Sequence, residues 1–305
     1  MRRIFFIILI ACTTPLLSQE SSIIFNRYNL SVFNPAYTGI EGPSINLNSR
    51  VQWVGVEDAP ITNFLILHLP QKKNATLGFT FQNDRVYVEN KTFATFDYSY
   101  KLQVSDQSSL YLGLKAGAII NNINTNKISR SYTYANPSIA SLENYFSPIF
   151  GVGFTYVSNK FFVGGAIPGL INELGFNDEW AITNRDFTQL HLSGGVNLGL
   201  SDKINFKPTI SYRSFRVGPD LLNGILEVDY NKRLSLGGIF TNNNTLGGFF
   251  KIKTKKGLHL GYGYEFPSGS NNISIDNSTH EFMIRIDLRE NIFSNSDNIE
   301  NKENE

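Results

Sequence analysis

"KINFKPTISYR", residues 203–213, places Ile204, Phe206, Ile210 and Tyr212 on one side of an extended chain and Asn205, Lys207, Thr209, Ser211 and Arg213 on the other. Strand side chains alternate between faces with period two, so this stretch predicts a β-strand with one apolar and one polar face. Pro208 has no N–H to give to a ladder and predicts a bulge or local opening. The pattern recurs. "SINLNSRVQW" (44–53) sets Ile45, Leu47, Val51 and Trp53 against Asn46, Asn48, Arg50 and Gln52. "HEFMIRIDL" (280–288) sets Phe282, Ile284, Ile286 and Leu288 against Glu281, Arg285 and Asp287. In "GLHLGYGYEF" (257–266), Leu258, Leu260, Tyr262, Tyr264 and Phe266 oppose His259, Gly261, Gly263 and Glu265.

Alternation alone also fits a soluble sandwich, so the number of segments decides. Candidate strands fall near 45–54, 61–69, 75–83, 92–102, 108–119, 148–157, 160–167, 189–199, 204–213, 222–231, 234–241, 245–252, 257–266 and 279–288. About fourteen strands of roughly 9–11 residues is the pattern of a closed transmembrane antiparallel β-barrel of the bacterial outer membrane. Two soluble sandwich domains would leave charged faces alternating with almost purely aliphatic and aromatic ones, and no Pro/Gly/Ser-rich linker divides the chain. "SNK" (158–160) and "TNNNT" (241–245) read as tight turns, 121–147 and 168–188 as long polar loops, which suggests short turns at one end and long loops at the other. Tyr98, Tyr100, Tyr156, Tyr212, Tyr230, Tyr262 and Tyr264 lie toward strand ends, where an aromatic girdle meets lipid headgroups.

The register turns charges of both signs into the lumen: Arg50, Asp97, Lys101, Lys115, Lys207, Arg213, Glu227, Asp229, Lys251, Glu265 and Arg285. Such a set can pair across the lumen and close it, or bind a piece of another protein. Gly113, Gly117, Gly151, Gly153, Gly261 and Gly263 on the same face leave room for loops, for the N-terminal segment or for a partner.

The chain has 305 residues, 41% hydrophobic and 17% charged, with a net charge of +1, which offers no nucleic-acid signature. "MRRIFFIILIACTTPLLSQE" has the layout of a secretory signal peptide ending near Ser18, so the mature chain starts near Gln19. Cys12, the single cysteine, lies inside it. Acylation at "LIAC" is the alternative to simple cleavage; removal leaves no thiol chemistry. His68, His191, His259 and His280 stand on separate segments without ligand spacing, so no metal or cofactor is expected. Asp84, Arg85, Glu89 and Asp97 cluster in sequence without a nucleophile or histidine and read as a loop-end salt-bridge group, so no enzyme is expected. The tail after the last strand, 289–305, is polar and acidic and reads as disordered chain.

Before the first strand, "FNPAYTG" (33–39) reads as one capped helical turn. Asn34 before a proline is extended and can cap; Pro35 fits the first helical position; Gly39 suits the left-handed terminating conformation. Ala36 and Tyr37 complete the turn. It serves as a clip that seats the N-terminus on or inside the barrel, or it contacts a partner.

"YNLSVFNPAYTG" (28–39), "QWVGVEDAPIT" (52–62), "LGFTFQNDRV" (77–86), "FFVGGAIPGLI" (161–171), "FKPTISYR" (206–213), "LGYGYEF" (260–266) and "THEFMIRI" (279–286) resemble the PorP/SprF family of outer-membrane proteins of the type IX secretion and gliding-motility machinery. The resemblance implies an outer-membrane, non-enzymatic barrel acting in secretion or surface attachment of cargo proteins with C-terminal targeting domains, or with other type IX secretion components. No small-molecule substrate follows from it. Asn34, Pro35, Ala36, Tyr37 and Gly39, with Trp53 and Asp84 in support, carry the partner-binding or structural expectation. A diffusion porin is the alternative function. The resulting layout is a leader at 1–18, an N-terminal segment at 19–44, a barrel at 45–288 and the tail.

Overall fold

The computed structural model describes residues 22–124, 145–170, 188–215, 218–267 and 278–288. The leader with Cys12, the tail 289–305 and most of the two long loops lie outside them. Fifteen segments form one antiparallel sheet: β1 (Ser44–Gln52), β2 (Ile61–His68), β3 (Ala75–Val86), β4 (Glu89–Ser105), β5 (Ser108–Ile123), β6 (Tyr145–Ser158), β7 (Phe161–Ile167), β8 (Thr188–Val196), β9 (Leu198–Ser201), β10 (Ile204–Phe215), β11 (Leu221–Tyr230), β12 (Leu234–Thr241), β13 (Thr245–Lys253), β14 (Leu258–Pro267) and β15 (Thr279–Asp287). Each pairs with its sequence neighbour except β8 and β9, which both pair with β10, and β15 pairs with β1 to close the barrel.

β8 and β9 are two halves of one stave. Both pair with β10, through Thr209↔Gly195 and Phe206↔Leu198, so the ladder is broken around Asn197, beside Pro208. The barrel therefore has fourteen staves. The proline cannot donate there, and the register on its other side, Pro208↔Leu226, continues unbroken.

Alternation sets the faces. Phe96 is 68% exposed and its neighbour Asp97 2%, and this apolar-out, polar-in order recurs around the barrel. Water would favour the opposite arrangement; hydrocarbon outside and backbone groups paired in a closed ladder favour this one. The sandwich alternative is set aside on that ground. No described helix is long and apolar enough to cross a membrane; the strands do so instead.

β3, β4 and β5, of 12, 17 and 16 residues, run past the expected boundaries. Their extra length carries Asn83, Asp84, Arg85, Glu89 and Asn90 beyond the height that the roughly 9–11 residues of a spanning strand provide.

Ser44 and Asp287 are register partners, so both ends of the barrel wall lie together. At that end the connections are the tight ones, such as 159–160, 202–203 and 231–233. In a bacterial barrel this is the periplasmic end. "TNNNT" corrects one expectation: the β12–β13 turn, like the two-residue β3–β4 turn at 87–88, lies at the opposite end from "SNK", because the alternation of antiparallel strands places both with the loop at 53–60.

Candidate functional site: the lumen and its N-terminal occupant

Residues 22–43 fill the lumen. They form three single-turn 3-10 segments, Asn26–Tyr28, Leu30–Val32 and Pro35–Tyr37, whose residues are almost all buried against the wall. The segment starts among wall residues near the long-loop end and leaves at the periplasmic end into β1. Polar lumen walls leave few apolar seats, and the segment uses those available. Ile24, Phe25 and Tyr28 cluster with Ile225, Ile239, Phe249 and Met283; Ile23 with Phe64 and Ile66; Leu30 and Tyr37 with Phe162. Phe25 meets Phe249 edge-on at 5.3 Å, and Tyr37 meets Phe162 at 5.4 Å.

The Asn34–Gly39 turn has the expected local form, as a 3-10 rather than an α turn. Asn34 is extended, its Oδ1 accepts the N–H of Ala36 at 3.0 Å, and Pro35 takes the first helical position. Its Nδ2 donates to Phe154 O and Thr155 Oγ1, both at 3.0 Å, fastening the cap to β6. Gly39 has φ +78°, and a Cβ there would lie 2.4 Å from Thr76 Cγ2. Gly39→Ala is expected to cost at least the ~1–3 kcal/mol of a strained non-glycine conformation, before any displacement of Thr76. A lowered urea midpoint of the detergent-solubilised barrel checks this.

Lumen glycines are the sockets of the turn. A Cβ on Gly113 would sit 2.0 Å from Ala36 N, on Gly153 2.3 Å from Asn34 Oδ1, and on Gly78 2.6 Å from Thr38 Cγ2. Further along, Gly261 and Gly263 admit Phe25 and Ile24, each at 2.7 Å. Gly151 receives the carbonyl of Pro168 instead, and Gly117 lies against the β4 backbone.

The lumen charges form short links along the wall rather than bridges across an empty bore. Arg50 reaches Glu265 at 2.7 Å and Glu281 at 3.3 Å, all three almost fully buried. Glu281 also accepts the N–H groups of Ile24 and Phe25 and the Asn48 amide, so one carboxylate holds both wall and segment. Asp97 and Lys115 face each other on β4 and β5 at 2.6 Å, and Lys115 Nζ donates on to Ser31 O at 3.3 Å. Glu227 accepts from Tyr28 Oη at 2.6 Å, with Lys251 against the same phenol. Lys207 pairs with Asp229. Arg213 stacks over Phe33 at 4.6 Å. Lys101 is half-buried near the periplasmic rim.

Glu41 and Glu281 are the contacts that sequence reading passed over. Glu281 sat on the polar side of its strand but was not among the lumen charges; Glu41 lies in a stretch with no periodicity at all. Arg285 meets Glu41 at 3.2 Å. Burial pushes the Glu41 carboxyl up, but Arg285 first, then Arg27 and two lysines, outweigh it and hold it below the usual carboxylate range. Such a group contributes stability above its unfolded value of about 4.3 and loses it as pH falls through the lower folded value. Acidification below about pH 4 should therefore loosen this seat in the native chain, and the loss should be smaller in Glu41→Gln.

Trp53 and Asp84 lie elsewhere. Trp53, 42% exposed and at φ +50°, opens the β1–β2 loop at the long-loop end; Asp84 accepts from Thr62 at 2.7 Å on β3. Neither touches the Asn34–Gly39 turn. The expected group of Asp84, Arg85, Glu89 and Asp97 is also divided: Glu89 pairs with Lys91 at the rim, while Asp97 lies deep in the lumen. Strand length separates them, since β4 carries Asp97 eight residues below Glu89. Among the described residues no His/Cys/Asp/Glu group could hold a metal ion.

Fold and lumen together define an outer-membrane β-barrel stoppered by its own N-terminal segment. Residues 18–286 match the family model of the type IX secretion system membrane protein PorP/SprF, and the chain belongs to that family. Among curated proteins none matches by sequence. Similar solved structures include the Pseudomonas putida toluene transporter TodX (10% identity, 89% of this chain and 98% of that one, TM-score 0.49) and the CymD monoaromatic hydrocarbon channel (13%, 83% and 90%, 0.47). The Acinetobacter baumannii outer membrane protein Omp33 is another (8%, 81% and 97%, 0.46).

Proposed function

We propose that the barrel is a non-enzymatic docking or anchoring subunit of type IX secretion, holding a secreted surface protein with a C-terminal targeting domain or linking to the periplasmic secretion ring. The observation that carries this reading is the lumen filled by residues 22–43. A diffusion porin needs a water-filled bore, and here the interior is spent on seating the chain's own segment. The Asn34–Gly39 turn then acts as the structural clip, and partners meet the rims.

The outer rim supports a contact role. Trp53, Val54, Val56 and Tyr87 each expose 41–56% of their surface there. Trp53, Asp58 and Tyr87 hold left-handed backbone, and the Tyr87 N–H bonds to Asp58 O, tying two loops together. Strained, ordered loops bearing apolar side chains are a common form of binding surface.

Pull-down of the tagged full chain from its native outer membrane in mild detergent, with mass spectrometry of retained proteins, tests this. Recovery of a large surface protein with a C-terminal targeting domain, or of ring subunits, is expected, and Trp53→Ala should reduce retention of the former without lowering barrel abundance. A barrel recovered alone would contradict the reading.

A further inference from the structure

Behind the periplasmic rim, between the N-terminal segment and the walls of β10 to β15, lies a cavity of about 440 Å3. That is within the ~300–1,000 Å3 range of ligand pockets. Seven lysine and arginine side chains line it against three carboxylates, Glu41, Asp229 and Asp287.

The carboxylates are already shared. Asp287 receives Lys253 at 2.7 Å, His259 at 2.8 Å and Arg285 at 3.2 Å; Glu41 receives Arg285 at 3.2 Å, and Asp229 is taken by Lys207. Glu227, fully buried beside Lys251, offsets one more cation. Arg27, Lys232 and Arg233 are left without a carboxylate within ion-pair distance among the described residues. Arg27 is buried, and its guanidinium donates to neutral acceptors, Thr209 Oγ1 at 2.8 Å and Asn197 Oδ1 at 2.9 Å. Lys232 and Arg233 form the exposed β11–β12 turn at the mouth. Left-handed backbone at Asn231 and Lys232 and the Arg233 N–H to Tyr230 O bond at 3.0 Å hold that turn in one shape. A buried guanidinium with no carboxylate, in a recess whose cations outnumber its acids, favours an anionic occupant.

The chemistry of the lining selects among anions. A single carboxylate would offset one cation, whereas a phosphomonoester carries about −1.5 to −2 charges near neutral pH and presents three acceptor oxygens. Guanidinium forks match such oxygens two at a time. The amides of Asn197 and Asn205 share the lining and suit hydroxyl groups. From β10 to β15 the strands pair without a register break, so the wall separates the cavity from hydrocarbon and a ligand enters from the periplasm. We propose that this cavity binds a small soluble phosphomonoester of the sugar-phosphate class, with Arg27 at its base and Lys232 and Arg233 at its mouth. Such binding needs no cargo, so it succeeds or fails independently of the docking reading.

Isothermal titration calorimetry of the purified full chain, in detergent and phosphate-free buffer, tests it with glucose 6-phosphate as the probe. Saturable one-to-one binding is expected, with inorganic phosphate competing for the same site, glucose giving no heat and gluconate binding about tenfold or more weaker. Affinity should fall by about tenfold or more in Arg27→Gln, which removes the charged donor at the base. Because Arg27 also seats the N-terminal segment, Lys232→Gln/Arg233→Gln is the second variant: it changes only an exposed turn and should weaken binding in the same direction. Lys72→Gln/Lys73→Gln, on the β2–β3 turn of the same rim but outside the cavity, should leave affinity unchanged. Absence of saturable binding, or an equal loss in the Lys72/Lys73 variant, would overturn the proposal. So would tighter binding of dihexanoylphosphatidylglycerol, which would assign the site to a lipid headgroup, or of pentaglutamate, which would assign it to an acidic segment of a partner.

Discussion

Arg50→Ala should detach the N-terminal segment while leaving the strands paired. The guanidinium is the counter-ion of two buried carboxylates, Glu265 and Glu281, and Glu281 in turn binds the backbone of Ile24 and Phe25. Removing one partner of a buried pair typically costs about 3–5 kcal/mol, because the charge left behind has no solvent to turn to. Glu281 can then stay ionised at high cost or take a proton and lose its strongest hydrogen bonds. Limited proteolysis should cut within residues 22–43 of the variant and not of the native chain. Glu265→Gln alone should soften this defect in the Arg50→Ala background, since it removes one of the two stranded charges.

Gly113→Ala should be at least as damaging, for a steric reason. The added methyl would stand 2.0 Å from Ala36 N and 2.5 Å from Pro35 C. Both are backbone atoms of a turn pinned by the Asn34 cap and by Ser99 Oγ donating to Ala36 O at 3.1 Å. No rotamer relieves such an overlap, so the turn must leave its socket. Lower folded-barrel abundance and a protease-sensitive N-terminus are expected. Gly238→Ala, whose new methyl meets nothing closer than 3.7 Å, is the matched control and should behave as the native chain.

Much of the wall was legible because a barrel writes itself locally. Each stave needs only its own alternation, and the inward parity of Arg50, Asp97, Lys115 and Arg285 follows from the neighbours in sequence. Pro208 announced a defect without saying that it would fall on the β8–β9 side. The Asn34–Gly39 turn was readable from cap, proline and glycine. What alternation does not encode is contact between distant segments. "SIIFNRYNL" has no period, so nothing marked Ile24, Phe25 and Tyr28 as core residues, or Glu281 as the carboxylate that receives them. The lumen glycines hinted at an occupant; its identity required the fold. Trp53 and Asp84, grouped with the turn by resemblance, proved to stand at the other rim, because position in a family pattern carries no distance.

The central claim is that the chain's own segment stoppers the lumen, and conductance in a planar bilayer tests it most directly. The native full chain should show no steady open level at neutral pH, and Gly113→Ala should open intermittently as the turn leaves its socket. A native barrel that conducts as a stable, ohmic channel would contradict the account and return the protein to the diffusion porins.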